Sequence, residues 1–162
     1  MYPLIVLVHV VAILIFVVAH AVSAAAMFQA RGEPDRVKLA QILNRSASVL
    51  LVATISLIVS LVAGIALGFM GGWWGRLWIW ISLVLLVAVG GAMTPFAAIP
   101  MGNIRRALGI QVGKPKEGEP PLVAQGDAEV AAARAALRPE LIAAIGIAAL
   151  VIITWLMLAK PF

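Results

Sequence analysis

The sequence predicts an all-α polytopic membrane protein, a single domain over residues 1–162 with four transmembrane helices in an up-down bundle and both termini outside. Hydrophobic residues make up 64% of the chain and charged residues only 12%, against roughly a quarter charged in soluble domains. Four apolar runs, at about 3–28, 47–69, 77–99 and 141–158, each approach the ~20 residues that a helix needs to cross a bilayer. The strands of a membrane β-barrel would instead be short, with alternating apolar and polar residues. Helices therefore remain as the structure that satisfies the backbone hydrogen bonds of these runs in lipid.

The basic residues set the predicted orientation. They collect in the two segments expected to be cytoplasmic, 29–46 and 100–140, as the positive-inside rule requires when both termini lie outside. The formal net charge of +5 follows these loops, so we expect anionic lipid headgroups as partners, within the lipid bilayer, and no nucleic acid. The residues concerned are Arg31, Arg36, Lys38, Arg45, Arg105, Arg106, Lys114, Lys116, Arg134 and Arg138.

The first run is expected to remain in the protein as a transmembrane helix. Its end, A-V-S-A-A-A at 21–26, resembles a signal-peptide cleavage site, but no Lys or Arg precedes the run, and it exceeds the ~7–15 apolar residues of a signal peptide. In the following loop, Pro34 and Asp35 are favourable first-turn residues ahead of helically spaced apolar positions. We predict a helix that begins there and continues into the second span.

The second span carries a stripe of small residues, one every four positions. Ser56, Ser60, Gly64 and Gly68 form this stripe, which ends in a G-x-x-x-G pattern. Small residues at this spacing let two helix backbones approach closely in lipid. We favour packing within the chain, and self-association into a homodimer stays open.

The third span ends in G-G-A-M-T-P, in which Gly90, Gly91 and Pro95 predict a bend near residues 90–94, because proline cannot donate a backbone hydrogen bond. Beyond it, the G-K-P-K-E-G-E-P-P stretch, 113–121, is typical of a flexible segment. The Ala-rich stretch 127–137 predicts a short helix on the inner leaflet, with Arg134 and Arg138 near the headgroups. Aromatic residues expected at the outer interface are Tyr2, Trp73, Trp74, Trp78, Trp80 and Trp155.

Both histidines of the chain, His9 and His20, lie in the first run. Eleven residues is close to three helical turns, so both leave one face of the helix, about 16 Å apart along its axis. Ionisable side chains in a span are candidates for function. Neither depth offers a carboxylate or a second histidine, which argues against a four-ligand metal site. A haem needs only one or two axial ligands, and Met93 near the depth of His20 is a weaker candidate. The alternative is that each imidazole hydrogen-bonds across a helix interface.

Three stretches carry a resemblance to known proteins: LVHVVAILIF, IPMGNIRRALG and the closing LIAAIGIAALVIITWLMLAKPF. They resemble an uncharacterised bacterial family of predicted four-helix integral membrane proteins, distantly similar to copper-resistance protein D and to the haem-dependent protoporphyrinogen oxidase. The resemblance implies a bacterial inner-membrane location and places His9 where relatives hold haem. Two features depart from it: Val17 and Val18 follow Phe16 where relatives have Gly-Gly, and no basic residue lies inside the spans. The oxidase activity is therefore not transferred.

These observations predict a small integral membrane protein with a structural or accessory role and no identified catalytic residue. The first alternative is a redox-linked protein that binds haem b through His9, its sixth ligand supplied by Met93 or by a second copy. The second alternative is a transporter component that uses the bend at Pro95. The spans contain no carboxylate for proton coupling, which counts against this second alternative.

Overall fold

The computed structural model describes residues 1–111, 113 and 122–162, and the regular structure in this part of the chain is all helical. Apart from Gly113, the segment predicted to be flexible lies outside the described residues. The elements are α1 (Tyr2–Gly32), α2 (Arg36–Met70), a 3₁₀ turn (Trp73–Gly75), α3 (Leu77–Met93), a π-helical turn (Thr94–Ala98), α4 (Ile99–Ala107), α5 (Asp127–Ala135) and α6 (Pro139–Ala159).

Four helical segments are long and apolar enough to cross a membrane, which confirms the predicted fold class at that level. They are Tyr2–Gly32, Arg36–Met70, Leu77–Ala107 and Asp127–Ala159. Each extends beyond its apolar run, so most of the loop expected at 29–46 is helical. The helices thus extend past their apolar runs at the end that carries the basic residues.

A side-chain cap starts α2 where the sequence predicts it. Asp35 Oδ1 accepts the backbone N–H groups of Val37 at 2.8 Å and Lys38 at 3.0 Å, two of the donors that a helix start leaves unsatisfied. The bonds from Lys38 and then Val37 hold the pKa of the Asp35 carboxyl below its usual value, because they stabilise the charged form. The predicted helix that runs from this point into the second span is confirmed.

The long helices pack chiefly as two antiparallel pairs, α1 with α2 and α3 with α6. In the first pair His9 contacts Ser60 and Ser23 contacts Ser46, so the two helices run in opposite directions. Contacts between α1 and α6 join the pairs, whereas α2 and α3, although consecutive, share almost none.

Bulky buried side chains lie at the two ends of the molecule, and small ones lie between. At one end Trp78, Ile79 and Leu156 form a cluster. At the other, the basic-end cluster consists of Met27, Ala30, Leu39, Leu43, Ile104, Ala107, Val130, Leu137 and Ile142. Most of this cluster lies beyond the apolar runs. There, burial removes a leucine side chain from water, which stabilises the fold by about 1.5–3 kcal/mol per side chain. The buried residues between are alanines and serines, because helices in lipid gain contact mainly by close approach.

The short helix predicted at 127–137 is present as α5, and it packs against other helices through one buried residue. Val130 is buried in the basic-end cluster, and Leu137 follows it there. Arg134 donates to the backbone carbonyl of Glu33. α4 and the end of α1 pack against the side of this helix that carries Val130.

Pro95 lies in a π-helical turn that follows α3 directly. Gly90 and Gly91 are still within regular α3, and the π-helical turn starts at Thr94. Because Pro95 has no N–H, the carbonyl of Gly91 accepts from Thr94, and the carbonyl of Thr94 accepts from Ile99, five residues on. The proline is thus accommodated by one widened turn within an otherwise continuous helix.

Candidate functional site

His9 lies at the interface between α1 and α2, where it makes a polar contact to another helix. Its Nδ1 is 2.8 Å from the backbone carbonyl oxygen of Ser60 and 3.2 Å from the Ser60 hydroxyl. A carbonyl only accepts hydrogen bonds, so Nδ1 carries the proton and donates. In the neutral form of the ring Nε2 is then the nitrogen without a proton, and it has no hydrogen-bond partner within the described residues.

Gly64 provides the space in which the His9 ring lies. A Cβ added at Gly64 would stand 3.0 Å from Cε1 and 3.3 Å from Nδ1 of His9. Any larger residue at this position would press on the imidazole. The glycine, one turn beyond Ser60, therefore lets the ring reach the carbonyl.

The other small residues of the stripe on α2 also face inward. Ser56 is buried and donates within its own helix to the carbonyls of Val52 and Ala53. Gly68 is buried under Trp74, whose ring would be 3.0 Å from an added Cβ. All four stripe positions are thus buried or half-buried on one side of α2, three of them against ring or helix partners from other segments.

His20 faces a different helix. Its ring is half-buried, stacks on Phe16 one turn away at a centroid distance of 5.8 Å, and points Nε2 toward α6. An added Cβ on Gly146 would be 3.1 Å from that nitrogen. The two histidines leave one face of α1, as their spacing predicts, but they contact α2 and α6 respectively.

The remaining haem-ligand candidate lies elsewhere. Met93 packs against the basic-end cluster, beyond His20 on the side away from His9. His9 and His20 are eleven residues apart, about 16 Å along the helix, too far to ligate one iron. Among the described residues no group of three His, Cys, Asp or Glu side chains could hold a metal ion. A haem bound at His9 would therefore take one axial ligand from this chain.

The end of the molecule opposite the basic cluster is built from aromatic residues. Trp73 contacts Tyr2 edge-on at 6.3 Å and Trp78 at 5.7 Å between centroids. The ammonium of Lys160 lies 4.1 Å from the Trp73 ring centroid, a cation–π contact. These contacts place the first helix, the short turn and the end of α6 together at this end of the molecule.

At the basic end, arginine side chains join segments that are distant in sequence. Arg36 donates to the carbonyls of Gln125 and Gly126 and lies 3.4 Å from the Asp127 carboxylate. Arg105 donates to the Leu43 carbonyl. Sequence reasoning assigned these side chains to lipid headgroups and missed their carbonyl partners. No local pattern points to these carbonyls, because they lie early in α2 and just before α5, not in the last turn of a helix.

Comparisons with known proteins found no relative of this chain. No family model matches the chain, and no curated protein or solved structure matches it.

Proposed function

We propose that the chain is a small multi-pass protein of the bacterial inner membrane with a structural or accessory role, in which both imidazoles join α1 to its neighbours. The observation that carries this proposal is the hydrogen bond from His9 Nδ1 to the Ser60 carbonyl over Gly64. His20 occupies a similar position over Gly146. An interhelical hydrogen bond in lipid contributes about 1 kcal/mol, enough to explain a polar group in an apolar run.

The proposal includes an up-down topology with the basic end in the cytoplasm and both termini outside. Its support is the separation of charge: arginines and carboxylates collect around the basic-end cluster, whereas Tyr2 and four tryptophans surround the other end. The positive-inside rule and the aromatic belt then agree. Fusion of alkaline phosphatase and of green fluorescent protein to the C-terminus tests it, with an active phosphatase and a dark fluorescent fusion expected.

The alternative proposal is that His9 binds haem b. What favours it is the tautomer: a histidine that ligates a metal usually donates its other N–H to a carbonyl or carboxylate, as His9 does to Ser60. Haem would supply one-electron chemistry. The chain would orient the imidazole through Ser60 and leave space through Gly64. A second copy or an exogenous ligand would have to complete six-coordination, because Met93 lies at the opposite end.

One experiment separates the two proposals. Wild-type protein is purified in mild detergent from haem-supplemented cells, and oxidised and dithionite-reduced absorption spectra are recorded beside His9→Ala, His9→Asn and His20→Ala. The structural role predicts no Soret band, a lower Tm in His9→Ala, and partial recovery in His9→Asn, whose amide can donate in place of Nδ1. A Soret band that disappears in both His9 variants and persists in His20→Ala would establish the haem alternative.

A further inference from the structure

A strap of residues 122–137 lies at the basic end of the molecule, where it contacts both helix pairs. It consists of residues 122–126, which have no regular structure, and of α5 with the two residues after it. α5 packs against α4, which continues α3 toward this end, and against the end of α1. Val130 and Leu137 are buried in the basic-end cluster, which takes members from both pairs. The strap therefore helps to join the two pairs.

The start of the strap is attached to the end of α4 through the backbone. Gln125 donates its N–H to the carbonyl of Ala107 at 2.8 Å. Gly109, at φ +74°, lies so close that an added Cβ would stand 3.0 Å from the backbone nitrogen of Ala124. A side chain at this glycine would be strained and would press on the strap. Close approach of main-chain groups thus fixes the strap on this side.

On the opposite side, two arginine side chains attach the strap to the α1–α2 turn, residues 33–35. Arg36, the first residue of α2, donates to the carbonyls of residues 125–126 and lies 3.4 Å from the Asp127 carboxylate. In the reverse direction, Arg134 of α5 donates to the carbonyl of Glu33. The carbonyls are neutral acceptors, and Asp127 is 93% exposed. Because water can replace such partners at low cost, we expect these polar contacts to break more easily than those to α4.

α5 itself has little local stability. It has nine residues, fewer than the ~12–15 that an isolated helix needs to be marginally stable in water. Val130 is its one buried residue, and most of the others are exposed. Segments with few buried apolar contacts open at a lower free energy than the rest of a protein. The four long helices, in contrast, would expose unpaired backbone groups to lipid if they opened.

We propose that the strap is a reversible closure of the basic end. It detaches from the α1–α2 turn when the contacts of Arg36 and Arg134 break, and it stays attached to α4. The aromatic end does not open with it, because separate contacts of Trp73 with Tyr2 and Lys160 hold that end together. Detachment uncovers apolar residues of the basic-end cluster. The closure does not depend on the proposed function, since it is the same whichever side of the membrane the basic end faces.

The composition of the chain supplies two probes for this opening. The chain contains no cysteine, so Ala30→Cys introduces a single thiol. Ala30 is fully buried in the basic-end cluster, beyond the first apolar run and in the part of α1 on which α5 packs. Tryptophan emission reports on the opposite end, where the aromatic contacts lie. The five tryptophans are Trp73, Trp74, Trp78, Trp80 and Trp155.

The test is the rate at which a water-soluble maleimide modifies the Ala30→Cys protein in mild detergent, with tryptophan emission recorded beside it. We expect Arg36→Gln and Arg134→Gln each to raise this rate about tenfold, the loss of one hydrogen bond from a charged group. Tryptophan emission should stay unchanged. Asp127→Asn should raise the rate severalfold, and it carries the test even if the arginine variants do not fold, because this carboxylate is exposed.

Arg138→Gln is the matched control. Arg138 is exposed, directly follows the strap and makes no ion pair within the described residues, so this variant should react like the unmodified background. An equal rise in the control would overturn the proposal in favour of a general effect of charge. Unchanged rates in the Arg36, Arg134 and Asp127 variants would overturn it as well. A rise that is accompanied by a shift of tryptophan emission would show that the whole bundle loosens, which also contradicts a closure confined to the basic end.

Discussion

The imidazole of His9 donates its Nδ1–H to the backbone carbonyl of Ser60, 2.8 Å away across the α1–α2 interface. This contact joins a ring nitrogen to a main-chain group near the aromatic end of the helix pair. A second contact, between the hydroxyls of Ser23 and Ser46, joins the same two helices toward the basic end. The α1–α2 interface is therefore joined by polar contacts at two depths, with small residues packed between them.

Removal of the His9 ring should destabilise the protein through this contact. We expect His9→Ala to lower the free energy of unfolding by about 1–2 kcal/mol, the loss of an interhelical hydrogen bond together with the space it vacates. Thermal unfolding in detergent measures it. Ser23→Ala, which removes a hydroxyl from the other polar contact, should cost less, and an equal or larger loss there would contradict the weight given to His9.

Gly64 should tolerate no larger residue while His9 is present. In Gly64→Ala the new Cβ would stand 3.0 Å from Cε1, so the ring must move off the carbonyl. We expect a loss of about 1–3 kcal/mol, as for other overpacked sites.

Gly90→Ala is the control for that substitution, since a Cβ at Gly90 meets open space. It should be neutral or stabilising by up to about 1 kcal/mol through helix propensity. In a His9→Ala background, Gly64→Ala should also become harmless, and persistence of its full cost there would rule out a clash with the ring.

The Arg31–Glu140 ion pair should couple α1 to α6 only weakly. Its closest N···O distance is 2.7 Å, but the side chains are 45% and 65% exposed. Solvent screening limits such pairs to about 0.2–1 kcal/mol. A double-mutant cycle with Arg31→Gln and Glu140→Gln measures the coupling, which should fall as salt rises from 50 to about 500 mM. A coupling above this range, or one insensitive to salt, would show that the pair is shielded from solvent.

The Asp35 cap should make stability depend on pH in the acidic range. The bonds from Lys38 and Val37 lower the pKa of the carboxyl below its ordinary value of 3.8. A depressed pKa contributes stability that is fully present above the unfolded-state pKa and is lost as pH falls through the folded-state pKa. Asp35→Asn, which keeps a capping oxygen but cannot titrate, serves as the control.

For that cap, urea or thermal unfolding of wild type and Asp35→Asn should be compared between pH 7 and pH 3. The advantage of the wild type should hold at neutral pH and shrink below about pH 4. If the difference between the two proteins stays constant over the whole range, the carboxylate does not contribute through its charge.

Local signals explain what could be predicted about the fold. Hydropathy alone locates the four apolar helices, and a proline–aspartate pair locates the start of α2 at Asp35, because capping involves only neighbours in the chain. The helix at Asp127 follows from the same kind of signal. The position of Pro95 predicts an irregularity but not its form, a π-helical turn at Thr94–Ala98, since the missing N–H disturbs the following turn as well as the preceding one.

The candidate site was predictable only in part, because its contacts join distant segments. The spacing of His9 and His20 shows that they share a face of α1, but not that one ring meets Ser60 and the other Gly146. The stripe on α2 is visible in the sequence, whereas its partners, an imidazole and the ring of Trp74, are not. The same holds for Arg134, whose carbonyl partner is about a hundred residues away.

The sequence by itself determined that this is a membrane protein with four apolar helices and with polar groups at particular positions along them. Partition of a helix into lipid depends on its composition, and helix capping depends on near neighbours in the chain. The tertiary structure alone decided which helices pair, which carbonyl accepts the hydrogen bond from His9, and that Val130 is buried in the basic-end cluster. Those outcomes depend on how closely helix backbones approach, and small residues permit close approach on more than one face.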